Sequence, residues 1–492
     1  MIKSLISSVV LLLCFSSFNH DAQQQSPKKP NILFVIADDQ SWVHTSIAGD
    51  KVVKTPAFDR IAKEGVLFTN SFTASPSCTP SRSAVLSGQA IWRVKEAGLL
   101  YGSIPPDLKL YPQLLNEAGY HVGYTGKGWG PGKPNYQGFK GSPTGKEYNS
   151  KITDNVPKGI FKNDYTANFE AFLTDKAKDK PFCFWFGCFE PHRIYDEGIG
   201  LRNGKKLEDV QVPSFLPDTK EVRTDLLDYY YEIEWFDAHL ARMLKKLEEI
   251  GELDNTLIVV TADNGMAFPR AKTTLYDWGV RMPLAVMWAN KIKGGRVIND
   301  MVSHTDFAPT FLEAAGVPIP NEMTGKSLLP ILLSQKQGAV DPKRNRAFTA
   351  IERHTLCRPD NGTYPSRAIR TKDYLYILNF EPGRFPTGGP DFVSSNNTYH
   401  GDVDAGITKE FMVMEANQKK YPKEYQLSFG KRPKEELYRI ASDKNQTNNL
   451  ANDKSYAKIK NELADALTKY LLETGDPRVR GEDPWQKYAY LK

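Results

Sequence analysis

The stretch Asn31-Ile-Leu-Phe-Val-Ile-Ala-Asp38-Asp39-Gln40 decides the fold class. Its continuous apolar run predicts a strand that is buried on both faces, as in a parallel sheet between layers of helices. Ligands of open α/β sheets bind at the carboxyl ends of the strands, so Asp38 and Asp39 are candidate site residues. Adjacent side chains of an ideal strand point to opposite faces, so both reach one ion only if the chain bends there. The competing interpretation is a pair of solvated turn aspartates.

The same pattern recurs much later, in Asn255-Thr-Leu-Ile-Val-Val-Thr-Ala-Asp263-Asn264-Gly265. Two buried strands would then each deliver a pair of oxygen-bearing side chains to one edge of the sheet. Ca²⁺ is a hard cation that takes six to eight oxygen ligands, so this set suits it.

The segments around these strands indicate the rest of the architecture. Thr55 to Gly65 predicts a helix with Thr55 as its cap, and Asp225 to Ile250 predicts a long amphipathic one. We therefore predict an α/β fold with a large, mostly parallel central sheet flanked by helices. Beyond about residue 345 the pattern changes to strands, a loop over 382–404 and a helix over 457–473. This predicts a smaller C-terminal α+β domain, an antiparallel sheet plus a helix, over 346–492, after a catalytic domain over 23–345.

Composition describes an ordinary globular protein, with 40% hydrophobic and 25% charged residues. The formal charge of +6 fits an anionic substrate, and no basic run suggests nucleic acid. Among the five cysteines, Cys183 and Cys188 are predicted to be buried thiols, and no zinc-site spacing occurs.

The first 22 residues are predicted to be a signal peptide. Lys3 precedes an apolar run from Leu5 to Phe18 that is too short for a typical membrane-spanning helix. The large Leu13 before Cys14 argues against a lipoprotein anchor. No later stretch could span a membrane, so we expect export to a periplasm, a cell surface or the medium.

A second informative stretch is Ser77-Cys78-Thr79-Pro80-Ser81-Arg82-Ser83-Ala84-Val85-Leu86-Ser87-Gly88. A cysteine near an arginine predicts a stabilised thiolate, hence a reactive thiol. Ser81 to Leu86 is predicted to open a helix, which places Cys78 at a helix N-terminus. The partial positive charge there favours an anionic group.

Further polar side chains follow other predicted strands. Lys127 lies in a Gly-rich loop, where the alternative is a surface lysine. His192 lies in Glu190-Pro-His-Arg193 after an apolar run, and is as well explained by a structural role as by an anion site. Lys272 follows Asp263 and Asn264 within ten residues.

Taken in order, these segments resemble the type I, formylglycine-dependent sulfatases of the alkaline phosphatase-like superfamily. Glu190 to Arg193, and Asp263 to Pro269 running on to Tyr276, are most similar to the heparan N-sulfatase (sulfamidase) branch. The resemblance implies that a formylglycine-generating maturation enzyme oxidises Cys78 to Cα-formylglycine.

The resemblance also implies a role for each site residue. The implied Ca²⁺ ligands are Asp38, Asp39, Asp263, Asn264 and the modified residue 78. Arg82 would hold the formylglycine hydroxyl, and Lys127, His192 and Lys272 would contact sulfate or donate a proton. One hydroxyl of the hydrated aldehyde would attack sulfur and the other would then expel sulfate, whereas a serine would remain sulfated. Whether His192 or Lys272 protonates the leaving group stays open.

One residue departs from the family pattern. The family usually has a histidine two residues after the Lys127 position, where it contacts the formylglycine hydroxyl, and here Trp129 stands there. We expect a secreted sulfatase acting on a sulfated polysaccharide or its oligosaccharides. Arg193, Arg353 and His354 are candidate sugar contacts or, equally, solvated surface charges.

Two other functions remain open. A phosphatase, phosphodiesterase or phosphonate hydrolase on the same scaffold would typically use Zn²⁺, additional His and Asp ligands, and a Ser or Thr nucleophile. The chain has only eight histidines, and the Cys78 segment disfavours this reading. The other is a non-catalytic glycan-binding relative, which Trp129 alone motivates.

Overall fold

A computed structural model describes residues 28–492, so the predicted signal peptide over 1–22 lies outside the described residues. The strands of this part of the chain are β1 (Asn31–Ala37), β2 (Val66–Phe72), β3 (His121–Gly126), β4 (Lys146–Glu147), β5 (Phe182–Gly187), β6 (Thr256–Ala262), β7 (Arg281–Met287), β8 (Arg296–Ile298), β9 (Val302–Ser303), β10 (Arg346–Ile351), β11 (Ser366–Thr371), β12 (Tyr374–Asn379) and β13 (Glu435–Arg439).

The α-helices of the same residues are α1 (Pro56–Glu64), α2 (Cys78–Ser87), α3 (Tyr111–Glu117), α4 (Tyr165–Asp175), α5 (Ile199–Arg202), α6 (Lys220–Glu249), α7 (Asp277–Val280), α8 (Phe307–Ala314), α9 (Leu329–Leu332), α10 (Ile407–Val413), α11 (Glu415–Lys420), α12 (Pro422–Phe429) and α13 (Ala457–Glu473). No helix among the described residues is both long enough and apolar enough to cross a bilayer.

The large sheet has the order β4-β3-β5-β1-β6-β7-β2-β8, and β9 also pairs with β2. The central strand β1 pairs in parallel with β5 on one side and β6 on the other. Along it, Phe34 and Ile36 pack into one hydrophobic core while Leu33 and Val35 pack into the core on the other face. The predicted α/β architecture, with helices on a mostly parallel sheet, is confirmed.

One strand of the large sheet runs against the others. β7 is antiparallel to both β6 and β2. Residues 263–280 connect β6 to β7 without an intervening crossover, so β7 starts at the edge where β6 ends and must run back. That connection holds Asp263, Asn264 and Lys272, so the reversal keeps these three residues at one edge of the sheet.

The second sheet is antiparallel, with the order β10-β11-β12-β13, and its first strand begins at Arg346. Leu463, Leu467 and Leu471 of α13 pack against it, as predicted. Trp92 from the N-terminal part belongs to the same cluster, so the two parts of the chain share a core. The boundary at 345/346 remains a prediction.

One local prediction is right only in part and two are wrong. Thr55 stands at the N-cap position of α1 as predicted, but its side chain makes no cap bond, and Asp237 of α6 accepts the first N–H groups of that helix instead. Helix α2 begins at Cys78 and not at Ser81. The loop over 382–404 is not confined to the surface, since Asp402 within it is buried.

Candidate active site

Asp38 and Asp39 leave the end of β1 and both are buried. Asp39 has φ of +69°, a conformation that turns the chain out of the strand. This bend is the one that two adjacent carboxylates need to reach one site. The Asp39 N–H donates to Asp263 Oδ1 at 3.1 Å, and Asn264 Nδ2 donates to Asp39 Oδ1 at 2.5 Å. Three of the five predicted metal ligands, Asp39, Asp263 and Asn264, are therefore in direct contact.

The donor set fits a hard cation. Oxygen atoms of Asp38 and Asp39 and the Cys78 sulfur lie within 4.8 Å of one another. Asn264 Oδ1 is buried and accepts no hydrogen bond from the described residues. A buried acceptor without a donor is costly, and a cation bound between the carboxylates would satisfy it. Carboxylate and amide oxygens are the ligands that Ca²⁺ and Mg²⁺ prefer.

Cys78 occupies the first turn of α2, with its sulfur 3.6 Å from Asp38 Oδ1. Burial raises the pKa of the Cys78 thiol well above its usual range, although Lys127 and Lys272 oppose this shift. The thiol is therefore protonated at neutral pH, and the predicted reactive thiolate is wrong. Burial outweighs the nearby cations, a balance that spacing along the sequence does not reveal.

Arg82 lies one turn further along α2 and is fully buried. Its Nε donates to Asp263 Oδ2 at 2.8 Å and its Nη1 donates to the Lys127 carbonyl at 2.9 Å. Its Nη2 has no hydrogen-bond partner among the described residues and lies 3.9 Å from Asp38 Oδ2. The Nη2 group of Arg82, four residues after Cys78 on the same helix, is thus free to donate a hydrogen bond to a ligand.

Two lysines neutralise the carboxylates. Lys127 Nζ lies 2.5 Å from Asp38 Oδ2, and Lys272 Nζ lies 2.8 Å from oxygens of both Asp39 and Asp404. Burial alone would raise the pKa of Asp38, but Lys127 and Arg82 hold it well below the usual range. Burial alone would lower the pKa of Lys272, but Asp39 and Asp404 raise it. Both lysines are therefore charged.

His192 stands on the solvent side of this cluster. Its Nε2 lies 3.8 Å from Asp39 Oδ2, its Nδ1 lies 2.7 Å from the Arg193 carbonyl, and its side chain is 34% exposed. Lys272, by comparison, is 4% exposed. Of the two candidate proton donors, His192 is the one that faces the direction from which a substrate would enter.

Trp129 has a structural place. Its indole is buried in the hydrophobic core that also includes Val85 and Leu86 of α2, and its Nε1 donates to Ser83 Oγ at 2.8 Å. The position two residues after Lys127 is thus filled by a ring that is bonded to α2, the helix that begins at Cys78.

The side chains of the three predicted sugar contacts are largely enclosed by the protein, so they are not solvated surface charges, and their contact with a sugar stays a prediction. Arg193 forms a bidentate ion pair with Asp225, both bonds 2.7 Å. Arg353 donates to the Tyr488 and Ala489 carbonyls. His354 Nδ1 lies 2.8 Å from the Ser77 hydroxyl, and burial lowers the pKa of His354 to about 4.

Asp404 is the site residue that sequence reasoning missed. It accepts from Lys272 and lies within ligand distance of Asp39 and His192, although it belongs to the loop before α10. No local pattern marks it, because an aspartate in a Gly- and Asn-rich loop is typical of a turn. Only the docking of the C-terminal part on the large sheet brings it to Lys272.

Comparison with known families agrees with this geometry. Residues 30–317 match the family model described as Sulfatase. Residues 270–381 match the model described as N-sulphoglucosamine sulphohydrolase, C-terminal.

Two curated relatives cover most of the chain. An ulvan-active sulfatase of Formosa agariphila is 30% identical over 453 residues, which span 91% of this chain and 81% of the relative. The human N-sulphoglucosamine sulphohydrolase is 28% identical over 499 residues, 92% of each chain. A solved structure, of a protein bound to its substrate D-glucosamine-2-N,6-O-disulfate, superposes with a TM-score of 0.66 at 22% identity. That superposition covers 94% of this chain and all of the other, and it shows the shared fold.

Proposed function

The chain belongs to the sulfatase family and is a sulfuric ester hydrolase, and from that premise we propose that it is an exported carbohydrate sulfatase that uses formylglycine, formed from Cys78, and Ca²⁺. The observation that carries this proposal is the position of Cys78. It lies in the first turn of α2, against Asp38, inside a buried ring of carboxylates and cations. A sulfate ester needs positive charge around its oxygens and a nucleophile in line with sulfur.

Asp38, Asp39, Asp263 and Asn264 would hold the Ca²⁺. The orphaned amide oxygen of Asn264 and the converging carboxylates support this assignment. Bound there, the ion would supply Lewis-acid charge to a sulfate oxygen.

Residue 78 would provide the nucleophile after its oxidation. Hydrated formylglycine supplies a hydroxyl for attack on sulfur and a second hydroxyl on the same carbon, which a serine lacks. The Nη2 of Arg82, which has no partner among the described residues, would hold one of these hydroxyls. The Nε and Nη1 of the same guanidinium stay bonded to Asp263 and to the Lys127 carbonyl, which fixes its position.

The remaining cations would bind and polarise the sulfate group. Lys127 pairs with Asp38, and Lys272 pairs with Asp39. They are held by carboxylates before substrate arrives, so little reorganisation is needed. His192 is the more exposed donor, and we assign it the proton that passes to the leaving oxygen or nitrogen of the sugar.

The substrate we propose is a sulfated oligosaccharide released from a polysaccharide. The resemblance to an ulvan-active sulfatase and to an N-sulphoglucosamine sulphohydrolase supports a carbohydrate, and leaves O-sulfate and N-sulfate as the two cases to test. Export is supported by the predicted signal peptide over residues 1–22.

The test is sulfate release from a panel of oligosaccharides by protein whose residue-78 peptide has been weighed. The panel holds ulvan-derived sugars, heparan-type N- and O-sulfated sugars, and a phosphate and a phosphonate monoester. We expect release from one sulfated class, and its loss on chelation with recovery on adding Ca²⁺. Faster turnover of the phosphorus esters would support the phosphohydrolase alternative. Binding of sugars without release, at a full formylglycine content, would support the non-catalytic one.

A further inference from the structure

The segment Tyr488–Lys492 lies beside the active site. The Leu491 N–H donates to the Tyr101 carbonyl at 2.7 Å, and Lys492 Nζ donates to Asn396 Oδ1 at 2.8 Å. The segment therefore joins the Tyr101 loop to the loop over 382–404, which also carries Asp404. The segment thus contacts two loops that lead to active-site residues, since Tyr101 is bonded to the Pro131 carbonyl that Thr79 also contacts, and Asp404 pairs with Lys272.

Buried groups fix this segment in position. Trp485, just before it, is 1% exposed. Arg353 donates to the carbonyls of Tyr488 and Ala489 at 3.1 and 3.2 Å, and its guanidinium lies 5.4 Å from the centre of the Tyr490 ring. A buried guanidinium that donates to two successive carbonyls orders the backbone of a short segment. Arg353, predicted to contact the sugar itself, thus acts on the segment that carries Tyr490.

The Tyr490 ring meets the Tyr101 ring. Their centres are 4.7 Å apart with planes tilted by 55°, and both residues are partly exposed. The Tyr101 N–H donates to the Pro131 carbonyl at 3.1 Å, and Thr79 Oγ1 donates to the same carbonyl at 2.8 Å. Tyr101 and Thr79, the residue after Cys78, therefore share the Pro131 carbonyl as their hydrogen-bond acceptor.

Electrostatics agree with this placement. Burial raises the pKa of the Tyr101 hydroxyl, the Cys78 thiol adds to the rise, and Lys127 and Lys272 oppose it. The charges of the site therefore act on the Tyr101 hydroxyl. The inner site residues are charged, and this half-exposed aromatic pair offers apolar surface near them.

We propose that Tyr101 and Tyr490 form a stacking surface for the sugar ring of the substrate, and so select carbohydrate sulfates. The C–H face of a pyranose is apolar, and an aromatic ring gives it contact area and a favourable quadrupole interaction. This inference rests on the proposed carbohydrate sulfatase function.

The experiment compares wild type with Tyr490→Ala, and with Tyr490→Phe as the matched control that keeps the ring. KM and kcat are measured on the oligosaccharide that wild type hydrolyses, and the inhibition constant of inorganic sulfate reports on the sulfate pocket alone. We expect Tyr490→Ala to raise KM about tenfold, the loss of about 1.4 kcal/mol of binding, with kcat within twofold. Tyr490→Phe should match wild type, and the sulfate inhibition constant should not change.

The kinetic results separate failure of the stacking inference from failure of the proposed sulfatase function. A Tyr490→Ala enzyme with the wild-type KM would overturn the inference while leaving the sulfatase activity in place. An equal rise in the sulfate inhibition constant would also overturn it, because the segment would then only shape the sulfate pocket. If wild type released no sulfate from any sugar, the proposed function would fail first. Tyr101→Ala, measured in the same way, checks the other ring.

Discussion

At the scale of single residues, the site depends on how each charge is balanced by its neighbours. Lys272 has carboxylates on two sides, Asp39 from the large sheet and Asp404 from the C-terminal part. Without Asp404, the ammonium group would keep only the carboxylate that we assign to the metal. Asp404 therefore sets the position of Lys272, and we class it as a positioning residue.

We predict that Asp404→Ala lowers kcat/KM at least about tenfold, since one charged hydrogen bond that holds Lys272 is worth about 1.5 kcal/mol or more. Asp404→Asn should lose less, because its amide oxygen can still accept from Lys272. Steady-state kinetics on the preferred sugar check this, with the formylglycine content of each variant measured by mass spectrometry. If the kcat/KM of Asp404→Ala stayed within twofold of the wild-type value, Asp404 would not position Lys272 for catalysis.

Trp129 provides a second prediction at this scale. Its indole is buried against α2 and its N–H is bonded to Ser83. Trp129→His should therefore lower the free energy of unfolding by about 2 kcal/mol or more, since a large core side chain is lost. It should not increase sulfate release per formylglycine. Urea unfolding and kinetics together check this, and a faster enzyme of unchanged stability would show that position 129 faces the nucleophile.

At the scale of elements, α6 does more than cover the sheet. Asp237, 1% exposed on this helix, accepts the N–H groups of Ala57 and Phe58 in the first turn of α1. The first N–H groups of a helix have no partner within it, so a carboxylate from another helix serves as their cap. The long helix thereby fixes the N-terminus of α1, where the N-cap residue Thr55 makes no side-chain cap bond.

We predict that Asp237→Ala lowers the free energy of unfolding by about 2–3 kcal/mol, because two buried N–H groups lose their acceptor. Glu249→Ala, at a half-exposed carboxylate of the same helix, should change it by less than about 0.5 kcal/mol. Denaturant unfolding of both variants is the measurement. Equal stability of Asp237→Ala and wild type would mean that water replaces the carboxylate there.

At the scale of the whole molecule, buried histidines make folding depend on pH. His304 is fully buried, and burial lowers its pKa to about 3. Below about pH 6.5 the unfolded chain takes up a proton at this residue, whereas the folded chain does not until about pH 3. The unfolded state thus binds more protons in this window, so this contribution to stability falls as the pH falls.

The corresponding prediction compares wild type with His304→Gln. Between pH 7 and pH 5, wild type should lose about 2 kcal/mol more of its free energy of unfolding than the variant does. The comparison of slopes removes any constant destabilisation by the substitution. Parallel pH profiles for the two proteins would show that His304 is accessible to protons in the folded state.

The sequence predicts those features of the fold and the site that depend on residues close together in the chain. The buried strand ending in Asp38, its repeat ending in Asp263 and the helix over 457–473 are recorded in local patterns, and the structure has all three. Partners distant in sequence are not recorded there. Arg193 with Asp225, and Lys272 with Asp404, follow only from tertiary packing. The helices over 407–429 were not predicted because each has only six to eight residues, too few for an apolar period to mark them.

The most direct test of the central claim is the rate of sulfate release measured against the fraction of formylglycine at residue 78. Samples of graded conversion are obtained by varying co-expression of a formylglycine-generating enzyme, with Cys78→Ala as the zero point. We expect a rate that rises in proportion to the formylglycine fraction and is zero for Cys78→Ala, at unchanged thermal stability. A rate that is independent of that fraction would contradict it.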